Sequence, residues 1–239
     1  MRIIEGKNVD LINPFPIGEV KRTYGWNHCY RSLVETDDTP NTQEHFIQFI
    51  TDSLMACPSW GIVDKNHLTN TKHEAPLVGI IVFEPTVTPG TTVIRNGYFH
   101  VATARKAWRT GLVDEAGHLA ISEMFKEIPT LLRVSGYMVE KNFPARSLCK
   151  RLGFTYEGLI ADMFMRDGKP ENMVLFGLTR REYECLNSSV ESSGVIPPTK
   201  IPTPKQETLE PLNQVEVEDQ PPTDLVPQPP TSQVIIQTS

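Results

Sequence analysis

One segment of the chain combines a turn with a helix start in the manner of an anion site. Residues 108–113, WRTGLV, form a glycine-containing loop that runs into a helix predicted to begin near Leu112. The first N–H groups of a helix lack intrahelical acceptors and lie at the positive end of its dipole, so the loop offers donors to a phosphate or pyrophosphate. Arg105, Lys106 and Arg109 lie beside it, either as phosphate partners or as a solvated basic turn.

Two titratable side chains are candidates for a general base. His100 lies in the run 93–103, VIRNGYFHVAT, which reads as a strand whose alternation puts His100 on one face with Tyr98. Imidazole titrates near neutral pH, as a general base must. Glu84, at the end of the apolar strand predicted over 77–83, is the second candidate. A solvated surface group is the alternative interpretation of each.

A short amphipathic helix is predicted between Asn142 and Gly153, in the segment NFPARSLCKRLGF. Asn is a preferred N-cap residue, and Gly suits the left-handed position that follows a helix C-terminus. Four apolar positions recur at spacings of three and four, which indicates one buried face; they are Ala145, Leu148, Cys149 and Leu152.

The other predicted elements alternate between strands and helices, which favours an α/β or α+β layer architecture. An Asp167-Gly168 turn joins the last two strands, as in a β-hairpin. Thr42 is a predicted N-cap. The predicted segments are a hairpin or edge strand over 2–4 and 9–12, a helix over 41–56, strands over 60–63 and 131–139, a helix over 112–125, and strands over 154–165 and 173–178.

Composition divides the 239-residue chain into a domain over 1–185 and a tail over 186–239. The tail has no Phe, Trp or Tyr, holds half of the 20 prolines, and carries two Lys against seven Asp or Glu. Such a segment buries too little apolar surface to offset its ordering entropy, so it is predicted to be disordered. Its PP and PxP segments either dock a protein partner in polyproline II form or serve as a plain tether.

Charge and cysteine usage exclude several classes of protein. The tail holds most of the net charge of −6, so the domain is nearly neutral, unlike general nucleic-acid binders. The four cysteines lack CxxC or metal-type spacing, which indicates reduced thiols, no metal site and a cytoplasmic protein. Neither a signal peptide nor a membrane-spanning segment is predicted.

In their order along the chain, five of these segments resemble the GNAT superfamily of acetyl-CoA-dependent N-acetyltransferases. The resemblance covers about 1–183 and is strongest to the branch that acetylates the N-termini of ribosomal proteins. It implies a central mixed sheet with helices on both faces. The segments that carry it are PNTQEHFIQFI, WGIVD with PLVGIIVF, WRTGLVDEA, NFPARSLCKRLGF and FTYEGLIADMFMRDGKPENMVLFGL.

The resemblance implies acetyl transfer from acetyl-CoA to an amine, which could be a protein N-terminus, a lysine or a small amine. It assigns the CoA pyrophosphate to the loop and the start of its helix, and oxyanion donors to the strand of His100. In the loop, Gly111 matches the family glycine, while Arg109 and Val113 replace residues that are usually small. The residues implied to contact the cofactor are Val101, Thr103, Trp108, Arg109, Thr110, Gly111, Leu112, Val113 and Asn142.

Two positions and one set of four residues keep two interpretations each. Asn142 either contacts the cofactor or only caps its helix. Cys149 stands where many family members have a Tyr that could protonate the leaving thiolate, or else is a small buried apolar residue. Four residues alternate along the chain in the region where the family has its substrate-facing helices. They either line an acceptor pocket or pack in the core; they are Tyr24, Trp26, His28 and Tyr30.

Two functions therefore remain open. The first is an acetyl-CoA-dependent N-acetyltransferase with His100, Glu84 or Cys149 in proton transfer. The second is a catalytically inactive GNAT-fold binding or assembly module, such as a phage virion-associated protein, which would suit the irregular CoA loop and the Pro-rich tail. A GNAT protein with an acyl donor other than acetyl-CoA is a third option.

Overall fold

Eight strands form one sheet in the computed structural model, which describes residues 1–28, 37, 42–67, 77–87 and 90–193. All eight are largely extended runs of apolar and β-branched residues, as sheet strands commonly are. They are β1 (Arg2–Glu5), β2 (Val9–Asn13), β3 (Ser59–Asp64), β4 (Leu77–Val87), β5 (Ile94–Thr103), β6 (Arg133–Val139), β7 (Thr155–Arg166) and β8 (Lys169–Thr179).

The described part of the chain contains five α-helices. The Thr42 hydroxyl accepts a hydrogen bond from His45 N–H at 3.2 Å, which confirms the predicted N-cap of the second helix. The helices are α1 (Val20–His28), α2 (Gln43–Ala56), α3 (Leu112–Glu127), α4 (Phe143–Arg151) and α5 (Arg180–Ser193). None of them is long and apolar enough to cross a membrane.

The sheet order is β1-β2-β3-β4-β5-β6-β8-β7. Neighbouring strands are antiparallel except β5 and β6, which run parallel. A parallel neighbour needs a crossover connection, and α3 provides it between these two strands. This confirms the predicted mixed sheet with helices.

Apolar side chains form one core on each face of the sheet, because successive strand residues point to opposite faces. Ile81 of β4 lies in a core with α3 and α4. Its neighbour Ile80 lies in a second core with α1 and α2. We call these two sides the α3–α4 face and the α1–α2 face.

The predicted Asp167-Gly168 turn joins β7 to β8. Both residues have positive φ, 50° and 68°, as the two central residues of a type I′ hairpin turn require. Asp37 holds this turn from outside the hairpin: its carboxylate accepts the N–H groups of Asp167 at 2.8 Å and Gly168 at 3.0 Å. Asp37, which lies between α1 and α2 in the sequence, thus contacts the tip of the hairpin.

The structure differs from the sequence-based predictions at the first helix and at the predicted end of the domain. Residues 20–28 form α1, where the sequence analysis delimits no helix. The predicted boundary between domain and tail, at 185 and 186, falls inside α5. Residues 194–239 and Tyr30 lie outside the described residues, so the predicted disorder and the last member of the aromatic set stay predictions.

Candidate active site

Strands β5 and β6 separate in the middle of the sheet. Their ladder has three residue pairs and ends at Tyr98 and Ser135. Beyond that pair β5 continues to Thr103 and β6 to Val139. The two strands therefore border a gap.

Backbone directions show which groups of β5 face this gap. The Arg95 carbonyl accepts a hydrogen bond of 2.7 Å from the residue before β6, while Ala104 N–H donates at 2.8 Å to a carbonyl of β4. Because backbone groups of successive strand residues alternate in direction, the odd-numbered residues of β5 turn theirs toward β6. Val101 and Thr103 therefore present N–H and C=O groups to the gap.

The loop after β5 is held to the end of that strand. Trp108 Nε1 donates a hydrogen bond of 3.1 Å to the Thr103 hydroxyl. The Thr110 hydroxyl donates to Ala107 O at 2.8 Å and accepts from Leu112 N–H at 3.3 Å. These bonds place the loop between the gap and the start of α3.

The turn into α3 uses left-handed backbone at two positions. Gly111 is the N-cap, with φ of 83°, and Arg109 has φ of 59°. A side chain in this region costs roughly 1–2 kcal/mol, so Gly111 is suited to its position whereas Arg109 is strained. A Cβ on Gly111 would meet no heavy atom within 4 Å, so the front of the helix N-terminus is open.

The N–H groups of the first turn of α3 point out of the helix. Glu115 N–H is the first to bond back, to Gly111 O at 3.0 Å, so the N–H groups of Val113 and Asp114 precede the intrahelical ladder. The Asp114 carboxylate beside them is paired with the Arg151 guanidinium. The loop residues Trp108 to Val113 are thus together at one anion-accepting end of α3.

The two candidate bases form a hydrogen-bonded pair on the α1–α2 face. His100 Nε2 lies 2.9 Å from Glu84 Oε2, with the side chains 39% and 56% exposed. The hydrogen bond from His100 lowers the pKa of Glu84, burial opposes this shift, and the charge of His100 adds to it. Because an ionised carboxylate only accepts hydrogen bonds, Nε2 carries the proton. Nδ1 is then the basic nitrogen of the neutral ring.

An aromatic row, which we define as Tyr98, Tyr137 and Phe164, lies beside this pair. The Tyr137 ring contacts those of Tyr98 at 5.2 Å and His100 at 5.8 Å edge-on, and stacks on Phe164 at 6.5 Å. Sequence reasoning treated 131–139 as a buried strand and missed Tyr137, which is 39% exposed. The available signal was that Arg133, Ser135 and Tyr137 are two residues apart, which places three polar side chains on one face of the strand.

Asn142 and Cys149 have structural roles in α4. Asn142 Oδ1 accepts from Ala145 N–H at 3.2 Å, so Asn142 caps the helix. Cys149 is 8% exposed, and its Sγ lies 3.4 Å from where a Cβ on Gly136 would be. Burial raises the pKa of the Cys149 thiol to about 12. The structure thus separates Cys149 from the His100–Glu84 pair and places it in the α3–α4 core.

The aromatic set of α1 does not share one surface. Residues two apart on a helix point about 200° apart, so Tyr24 and Trp26 diverge. Tyr24 packs edge-on against Phe46 of α2 at 5.5 Å, and Trp26 packs against the second core. Tyr24 and Trp26 are therefore core-facing, as in the second interpretation, and the other two members of the set, His28 and Tyr30, stay predictions.

Across the described ranges, no group of three or more His, Cys, Asp or Glu side chains is placed to hold a metal ion. The donors at the gap and at α3 are backbone N–H groups, the kind that bind phosphate and carbonyl oxygens.

No family model and no curated protein matches this sequence. Solved structures do match the fold. An acetyltransferase of the GNAT family from Bacillus anthracis is 15% identical, with a TM-score of 0.59, and the match covers 75% of this chain and 99% of that one. Ribosomal-protein-S5-alanine acetyltransferase from Vibrio fischeri is 16% identical, with a TM-score of 0.55 over 75% and 97%.

A third similar structure was determined with a ligand. RimL, a ribosomal-protein α-N-acetyltransferase in complex with coenzyme A, is 12% identical, with a TM-score of 0.59 over 74% of this chain and 98% of its own. All three matches cover about three quarters of this chain and nearly the whole of the neighbour. The chain has the fold of the GNAT acetyltransferases, with ribosomal-protein acetyltransferases among its structural neighbours.

Proposed function

We propose that the protein is an acetyl-CoA-dependent N-acetyltransferase that acts on a primary amine. The observation that carries the proposal is the gap between β5 and β6, which opens beside the N-terminus of α3. A thioester at the gap and a pyrophosphate at the helix would both meet backbone donors. The GNAT-fold neighbour that binds coenzyme A supports the same cosubstrate.

Different residues would contact different parts of acetyl-CoA. The N–H groups of Val113 and Asp114, which precede the intrahelical ladder, and the open position in front of Gly111 suit the pyrophosphate, while Leu112 N–H is held by the Thr110 hydroxyl. Arg109, exposed in the loop, can pair with phosphate oxygens. Val101 N–H, facing the gap, is placed to donate to the thioester carbonyl oxygen as charge develops on it. Asn142 retains the capping contact, and its cofactor contact stays a prediction.

Proton transfer falls to the His100–Glu84 pair. The acceptor nitrogen must lose a proton to attack the carbonyl carbon, and His100 Nδ1 is free to take it because Nε2 is committed to Glu84. Glu84 orients the ring and stabilises the imidazolium that forms. The C–N bond then forms, and the C–S bond breaks as the nitrogen releases its second proton to solvent. The thiolate of coenzyme A takes a proton from solvent.

Calorimetric titration of the full chain with acetyl-CoA tests the binding step. We expect heat of binding and a thermal shift, both abolished by Gly111→Trp, because an indole there blocks the helix N-terminus. Gly90→Trp is the matched control: Gly90 has φ of 79° and equally open surroundings, so it introduces similar strain away from α3. Absence of heat and of a thermal shift at millimolar acetyl-CoA would overturn the proposal.

A thiol-release assay with a mixture of amines tests the transfer step. We expect turnover, with a loss of about 100-fold or more in His100→Ala, which is the usual contribution of a general base. Full turnover in His100→Ala would remove His100 from this role. Acetyl-CoA binding without release of thiol from any amine would instead favour the binding-module alternative.

A further inference from the structure

The aromatic row lies where the acceptor must approach. Tyr137 is two residues beyond Ser135, the last β6 residue paired with β5, so its side chain stands at the mouth of the gap. Its ring is within edge-on contact of His100. An amine that gives its proton to His100 therefore passes over or against the Tyr137 ring.

The row extends away from the base as an exposed apolar surface. From Tyr137 it continues to Phe164 of β7, across β8, where Leu175 is the register partner of Tyr137. Ile160, 39% exposed, lies on the same strand as Phe164. A substituent on the acceptor carbon would lie on this surface, and aromatic rings bind both apolar groups and ammonium ions on their faces.

Charge on this face favours a cation and disfavours an anion. Glu84 is more than half exposed beside His100, so a carboxylate on the acceptor would meet like charge. On the described residues of β4 and β6, Arg133 is the one Arg or Lys side chain of this face, and the Glu157 carboxylate engages it through both oxygens. These two strands therefore offer an acceptor carboxylate, among their described residues, no guanidinium or ammonium group that is not already paired.

We propose that Tyr137 is a specificity-determining residue of this site, which selects amines that carry an apolar or aromatic group near the nitrogen and no neighbouring carboxylate. The proposal rests on the proposed acetyltransferase function. The acceptor arrives as an ammonium ion between Glu84 and the aromatic row, gives its proton to His100, and attacks as the neutral amine. Burial, with the charges of Glu84 and Tyr98, raises the pKa of Tyr137, so its ring stays a neutral phenol throughout.

Three small amines separate the contributions of ring and charge. 2-Phenylethylamine differs from ethylamine by the ring and from phenylalanine by the carboxylate. With the full-length wild-type protein, we expect kcat/KM for 2-phenylethylamine to exceed each of the others by about tenfold, the effect of one good aromatic contact or one nearby like charge.

Variants assign the ring preference to Tyr137. Tyr137→Leu should bring the ratio between 2-phenylethylamine and ethylamine to within about twofold of unity, whereas Tyr137→Phe should keep it. Tyr156→Leu is the matched control, because Tyr156 is an exposed tyrosine that packs against Phe176 on the α3–α4 face. Glu84→Gln should reduce the discrimination against phenylalanine, even where it lowers turnover of both amines.

The outcomes keep this inference distinct from the proposed function. Acetyl-CoA binding with equal kcat/KM for all three amines, or no turnover of 2-phenylethylamine, would overturn the acceptor proposal alone. An unchanged ring preference in folded Tyr137→Leu would do the same. Failure of the wild type to bind acetyl-CoA would overturn the enzyme proposal itself.

Discussion

The hydrogen bond between Trp108 Nε1 and the Thr103 hydroxyl fixes the loop before α3 to the end of β5. Trp108→Phe removes the donor, and Thr103→Val removes the acceptor at nearly constant shape. A neutral, partly buried hydrogen bond of 3.1 Å contributes about 0.5–1.5 kcal/mol. The double-mutant cycle should therefore give a coupling free energy of about 1 kcal/mol in unfolding.

The same bond should influence acetyl-CoA affinity. When it is lost, the loop must be ordered at the moment of binding, and a cost of about 1 kcal/mol corresponds to a roughly fivefold weaker Kd. Each single variant should lower Tm by about 2–4 °C in a domain of this size. Because the bond is made once, the double variant should bind acetyl-CoA hardly more weakly than either single one.

Urea unfolding followed by far-ultraviolet circular dichroism measures the cycle without relying on tryptophan emission. The free energies of unfolding can be compared only if they depend on urea concentration with the same slope in all four proteins. Trp26→Phe combined with Thr103→Val is the control cycle, since Trp26 packs on the α1–α2 face. Additivity of Trp108→Phe and Thr103→Val within about 0.3 kcal/mol would refute the anchoring role.

Two further predictions concern the core and the first hairpin. Cys149 should react with a thiol reagent at pH 8 about a thousandfold more slowly than the exposed Cys185, since burial raises the pKa of Cys149 to about 12. Folded Cys149→Ala should keep the turnover of the wild type. Fast labelling of Cys149, or lost turnover in this variant, would restore Cys149 as a candidate proton donor. Glu115→Gln should reduce the free energy of unfolding by about 1 kcal/mol, because the carboxylate accepts the backbone and side-chain N–H groups of Asn8 at 2.8 and 2.9 Å. Burial acts to raise the pKa of Glu115, but these and neighbouring hydrogen bonds outweigh it and lower the pKa, so the contribution is complete above the unfolded value of about 4.3 and is lost as pH falls through the lower folded value. The difference between wild type and Glu115→Gln, measured in urea, should be smaller at pH 3.5 than at pH 7, and a larger difference at pH 3.5 would contradict this sign.

The two proton-transfer candidates, His100 and Glu84, show which features of the site could be predicted from the sequence. Alternation along β5 placed His100 with Tyr98 on one face, and the structure confirms this shared face. His100 and Glu84 were considered as separate bases, although they form one pair. Their contact depends on the β4–β5 register, which puts Val82 opposite His100 and includes a shift near Thr86. Residue types alone do not determine that register.

Tyr137 and α1 are two features that local sequence patterns do not predict. Tyr137 belongs to a predicted strand, but only the divergence of β5 and β6 brings its ring to the surface beside His100. Tyr24 and Trp26 alternate at the period of a strand, but tertiary packing holds them in a helix. In both cases the deciding interactions join segments that are distant in sequence.

The short ladder between β5 and β6 gives this sheet two internal edges in addition to its outer ones. An unpaired strand edge normally invites pairing with another chain, and proteins suppress it at their margins. Here the unpaired backbone groups of Val101 and Thr103 lie in the centre of an eight-stranded sheet, where flanking strands and helices keep other chains away. In the proposed function, a slender ligand with its own amide groups would enter here and pair with these main-chain atoms. Because the pairing groups belong to the main chain, side-chain substitutions at the gap would change its width and charge while leaving the hydrogen-bonding groups in place.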